Sequence, residues 1–79
     1  MPLFYFDLSN GTHEPDEEGT PLASVDDART QAVRLLGEML SFDSRSIWDG
    51  EGLAVEVLDE ARAALFTVKV SASSLFPAT

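Results

Sequence analysis

The sequence predicts a small two-layer α+β fold. One amphipathic helix packs on a mostly antiparallel sheet of three to four strands, in the order β-β-α-β-β. Three observations carry this. Short segments near both ends of the chain alternate apolar and polar residues with the period of two that a half-buried strand requires. A single stretch between them spaces its apolar residues three and four apart, the period of a helix buried on one side. The chain has 79 residues with no cysteine and one histidine, so neither a disulfide nor a structural zinc site staples it. A domain of this size buries about 60% of its unfolded surface, which leaves stability marginal unless packing or a partner adds to it.

The first strand is expected over Leu3–Leu8, with Phe4, Phe6 and Leu8 on one face and Leu3, Tyr5 and Asp7 on the other. Asn10-Gly11 follows, a pair suited to the positive φ angles of a tight hairpin turn. The return strand should be short, because Pro15 has no N–H to give a ladder and Asp16-Glu17-Glu18-Gly19 is turn chemistry. Asp7 and Asp16 read as carboxylates that fix these turns by accepting local amides. The helix is predicted over residues 25–41. Ser24 supplies the N-cap, Asp27 forms a weak capping box, and Asp26 and Asp27 face the positive end of the helix dipole. Val25, Ala28, Ala32, Leu35 and Met39 make the apolar stripe, widened by Leu36 and Leu40. Residues 42–52 read as a loop whose sharpest turn is Asp49-Gly50. Strands over Leu53–Leu58 and Ala64–Ser71 follow, joined by a hairpin loop at residues 59–63. Residues 1–72 then make one α+β domain, and residues 73–79 a flexible tail with Leu75-Phe76 as an apolar hook.

Alternation assigns Phe4, Phe6, Leu8, Val55 and Val57 to the inner face beneath the helix, together with Phe66, Val68 and Val70. The outer face keeps Leu3, Tyr5, Leu58, Leu65, Thr67 and Lys69, beside a connection that holds Phe42, Ile47 and Trp48. One helix cannot cover both faces. The outer face is therefore either a mildly apolar solvent face or the seat of another subunit. Tyr5, Trp48 and Leu65 are the candidate interaction residues, since large aromatic side chains are enriched at binding hot spots. Trp48 has a competing structural role, as a plug at the end of the core.

Asp and Glu number 14 against 5 Lys and Arg, a formal net charge of −9. Such a surface repels phosphate, and the basic residues Arg29, Arg34, Arg45, Arg62 and Lys69 form no stripe. Direct nucleic-acid binding and adhesion to an anionic membrane are both disfavoured. No apolar run approaches the ~20 residues of a membrane span, and the opening residues lack a signal peptide's basic start and apolar core. A cytoplasmic location is the resulting expectation.

Reactive constellations are equally scarce. His13 neighbours Glu14, Asp16, Glu17 and Glu18, which are ligand types for a divalent cation, but Pro15 splits a run that reads as a solvated acidic loop. Residues 43–54 fail the calcium-loop template, with Arg45 at the third position, Trp48 where glycine is required and Ala54 in place of the bidentate glutamate. Ser9 and His13 flank the Asn-Gly turn without the context of an activated nucleophile. The sequence assigns no catalytic residue, no metal ligand and no cofactor.

Phe4-Tyr5-Phe6-Asp7-Leu8, Asn10-Gly11 and Asp16-Glu17-Glu18-Gly19-Thr20-Pro21-Leu22, running into Ala28 and Ala32, together resemble a family of short acidic bacterial proteins. That family is known only as a domain of unknown function. The better part of the match is the Phe-x-Asp-Leu start with the Asp-x-Glu-Gly turn, and it would cover nearly the whole chain. The resemblance implies an aromatic strand, a glycine turn, an alanine-bearing helix and a terminal hairpin. It implies no activity.

Three functions compete on these grounds. The first is a non-catalytic protein-interaction module that self-associates, or meets a protein partner, through the outer sheet face or an edge strand. The second is an acidic regulator of a basic protein, antitoxin-like or inhibitor-like, steered by its excess charge. The third is a minimal enzyme or metal-binding protein with a site between subunits.

Overall fold

The computed structural model of the chain describes residues 1–49 and 52–75, apart from the side chains of Ser46 and Asp49. Its elements run β1 (Leu3–Ser9), β2 (His13–Glu14), β3 (Thr20–Pro21), α1 (Val25–Phe42), α2 (Ser46–Asp49), β4 (Leu53–Leu58) and β5 (Ala64–Val70). The strands form one open sheet in which every pairing is antiparallel. β1 pairs with β4, and β4 with β5; the far side of β1 takes both β2 and β3. The two-layer α+β architecture is as predicted. The sheet has five strands rather than three to four, because the short return strand divides at Pro15 and the 16–19 turn into β2 and β3.

Local signals set the helix. Ser24 accepts a hydrogen bond from the Asp27 amide at 3.2 Å, which satisfies one of the free N–H groups of the first turn. At the other end the Asp43 amide donates to Met39 O at 3.0 Å, and the helix reaches Phe42, one residue beyond its expected end. Ala28 and Ala32, both wholly buried, let the helix backbone approach the sheet closely over Phe4, Phe6, Val55 and Val57. A larger side chain at either alanine would overpack the core at a cost of about 1–3 kcal/mol.

The sequence is least informative between α1 and β4. The expected loop contains the single turn α2, too short to show a helical period. Gly50, the second half of the expected Asp-Gly turn, lies outside the described residues, as do Phe76 and the end of the tail. Residues 71–74 carry no regular structure, and Leu75 is fully exposed.

The β4–β5 hairpin falls where expected. Asp59 organises it: its carboxylate accepts from the Ala61 and Ala63 amides at 2.9 and 3.0 Å, and its own amide donates to Ala63 O. Arg62 adopts a left-handed φ of 65° at the tip. Where the strands begin to pair, Leu58 faces Ala64 and Val57 faces Phe66, so Leu65 is the extra residue of a β-bulge.

Candidate functional site

The sheet has two edges, and the chain treats them differently. An edge strand presents alternate N–H and C=O groups outward, a template for any passing strand. On β1 these groups belong to Phe4, Phe6 and Leu8. β3 faces Phe4 with Thr20, β2 faces Leu8 with Glu14, and between them no strand reaches Phe6. A carboxylate fills the gap: Asp16 Oδ2 accepts the Phe6 amide at 3.1 Å. Its other oxygen accepts from the Glu18 and Gly19 amides, each at 3.1 Å. Asp7, itself buried, accepts the Asp16 amide at 2.9 Å. Partial burial pushes the Asp16 pKa up, but the amides of Gly19, Phe6 and Glu18, together with the charge of Arg62, outweigh it and hold the pKa below the ordinary carboxylate value.

This edge is also padded on the outer face of the sheet. Gly19 has φ +76°, and a Cβ there would come within 3.1 Å of the Tyr5 ring and 3.3 Å of Leu3. The Arg62 guanidinium lies 3.9 Å from the centre of the Tyr5 ring, a cation–π contact that ties the β4–β5 hairpin to β1. Tyr5 and Leu3 are half-buried and Leu58 is buried. The chain's own turn and hairpin thus cover this part of the outer face.

The opposite edge is β5, and among the described residues no strand pairs with its far side. The ladder geometry identifies its outward groups. Since the Phe6 amide points away from β4, Phe6 and Val57 are a non-hydrogen-bonded pair, Val57 bonds toward β5, and Phe66 bonds back toward β4. The alternate positions Thr67 and Lys69 therefore present N–H and C=O to the open edge. The inner face of β5 is thinly covered as well. Val55 and Val57 on β4 are fully buried beneath α1, whereas Phe66, Val68 and Val70 remain half-buried.

The candidate interaction residues occupy separate places. Tyr5 is engaged by Arg62, and Leu65 stands 40% exposed at the bulge, both toward the hairpin end of the sheet. Trp48 is on α2, 61% exposed. Ile47, rather than Trp48, lines a groove of about 550 Å³ with Leu35, Met39 and Leu53. Two of the three candidates thus lie toward one end of the sheet, and the third lies on α2. The Asp16–Phe6 contact was beyond sequence reasoning, which identified Asp16 only as a turn acceptor.

His13 Nε2 lies 3.7 Å from Asp7 Oδ2, and Ser9 pairs with His13 in the β1–β2 register. A carboxylate, an imidazole and a hydroxyl thus share the outer face, yet no Ser9–His13 hydrogen bond is present among the described contacts. Nor do the described residues gather three or more His, Asp or Glu side chains in a group able to hold a metal ion. None of the described helices is long and apolar enough to cross a membrane.

Residues 3–71 match the model of a family described as a domain of unknown function, DUF6894, and the chain belongs to that family. No curated protein and no solved structure gives a significant match.

Proposed function

We propose that this DUF6894 member is a cytoplasmic, non-catalytic protein-interaction module that works by strand addition at the β5 edge. One observation carries the reading: the contrast between an edge closed by two short strands and a carboxylate, and an edge along which no strand of the described residues pairs with the seven residues of β5. Strand addition draws its affinity from main-chain hydrogen bonds and its selectivity from alternate side chains, and β5 offers both. Outward amides and carbonyls stand at Thr67 and Lys69, and Phe66 and Val68 lie half-buried on the inner face.

A photoreactive side chain placed at position 67 in living cells tests this, with position 17 in the closed-edge turn as the control. The expected result is a discrete protein adduct from position 67 and none from position 17. Adducts from position 17 alone, or from neither, would overturn the reading. A basic-protein adduct whose yield from the purified components falls as salt is raised before irradiation would favour the acidic-regulator alternative, for which the net charge of −9 supplies the steering.

A further inference from the structure

We infer that the strand added at the β5 edge is β5 of a second copy, antiparallel, about a two-fold axis through Thr67. This rests on the strand-addition reading above and names its partner. An isologous contact requires a surface complementary to itself, and β5 meets that requirement in three respects.

The first is register. Opposed residues of an antiparallel pair share a face, so a two-fold axis sets one residue against its own copy. Overlap of the whole strand, Ala64–Val70, puts that residue at its midpoint, Thr67. Thr67 is also a position whose N–H and C=O point outward, so the two copies of Thr67 exchange a pair of hydrogen bonds. Phe66 then faces the partner's Val68 and Leu65 faces the partner's Lys69.

The second is charge. No residue of β5 is acidic, although the chain carries 14 acids. The strand is entered from the hairpin acids Asp59 and Glu60, whose carboxylates already accept the amides of Ala61, Ala63 and Leu3, and bears its cation, Lys69, near its exit. The hairpin's own cation, Arg62, is turned onto Tyr5. Antiparallel pairing therefore brings each Lys69 toward the acidic entry of the other copy's strand.

The third is the helix flank above β5. Gln31 and Leu35 line a groove with Phe6, Leu8 and Pro15, which puts that flank of α1 on the β1 side. Helical geometry then turns Val33 away from that flank, toward β5. Val33 is 59% exposed, an apolar residue that the other described residues leave largely uncovered. In the paired sheet the two β4 strands, each beneath its own helix, stand about 14 Å apart. Side chains from two helices at that spacing span most of the gap over Phe66 and Val68.

The absence of native cysteine makes the register directly testable. In Thr67→Cys, opposed Cα atoms lie about 5.5 Å apart, inside the range a disulfide spans. In Lys69→Cys the two copies are about 14 Å apart and out of reach. Mild oxidation should therefore cross-link Thr67→Cys at least tenfold faster than Lys69→Cys, and sedimentation should show a concentration-dependent dimer for the wild-type chain. The exposed substitution Val33→Glu should weaken that dimer at least tenfold while leaving the circular dichroism spectrum unchanged. Equal cross-linking of the two cysteine variants, or a wild-type monomer at every concentration, would overturn the inference. A monomer that still forms a position-67 adduct with a different protein would overturn only the second copy and leave strand addition standing.

Discussion

The two edges of this sheet solve the same physical problem with different materials. At β1 the chain never supplies a full-length neighbour. Two pairs of strand residues and one carboxylate account for the outward amides, and the 16–19 turn is held against Tyr5 while doing so. At β5 nothing comparable exists among the described residues, although the strand is as long as β1 and its inner face is apolar. A side-chain acceptor can therefore stand in for a missing strand at one position. A strand whose alternate groups have no partner among the described residues is a different kind of surface, one that natural folds commonly blunt or pair.

The sharpest break of that comparison is Asp16→Ala. It leaves the Phe6 amide without its acceptor and releases the turn, and should lower stability by about 3 kcal/mol, read from urea unfolding at neutral pH. The same variant gives the pH signature. The Asp16 pKa is lowered on folding, so its contribution is fully present above the ordinary value of 3.8 and is lost as pH falls through the lowered folded value. The gap between wild type and Asp16→Ala should therefore narrow as acid takes the pH below that ordinary value and through the lowered one; a constant gap would mean that the charge is irrelevant.

Gly19→Ala should cost about 2 kcal/mol, from the left-handed backbone and the approach to Tyr5, with thermal unfolding as the measure. The Arg62–Tyr5 contact should show a coupling of about 0.5–1 kcal/mol in a double-mutant cycle with Arg62→Ala and Tyr5→Leu. Smallest of all, Lys69→Ala on the open edge should shift the monomer's stability by no more than about 0.5 kcal/mol, since among the described residues its side chain makes no hydrogen bond or ion pair. A large loss there, at concentrations where the protein is monomeric, would mean that the β5 edge is structural after all.

The elements legible in the sequence are those governed by neighbours. Leu53–Leu58 alternates cleanly and is found with its predicted bounds, and Ser24 announces the start of the helix by capping it within four residues. The carboxylate at position 16 was legible as a turn former, because its bonds to Glu18 and Gly19 are local. Its bond to Phe6 was not, because nothing in a linear spacing reveals which strand edge a turn will fold against. The outer face shows the same division. Alternation placed Tyr5 and Leu58 there correctly, but what lies against Tyr5, the glycine turn and an arginine 57 residues away, is set by the tertiary fold. The open edge of β5 escaped for a related reason, since edge position depends on strand order rather than on the strand's own residues.

The register of β1 against β4 bears on how the chain leaves the ribosome. The strand's main neighbour, Leu53–Leu58, is synthesised more than forty residues after it, a delay of several seconds at usual rates of translation. During that interval a Phe-Tyr-Phe strand would be free on both sides. Asp16 and the turn it organises emerge only ten residues after Phe6. The nascent chain therefore acquires a guard for one flank of its most aggregation-prone segment well before the strand that will occupy the other exists.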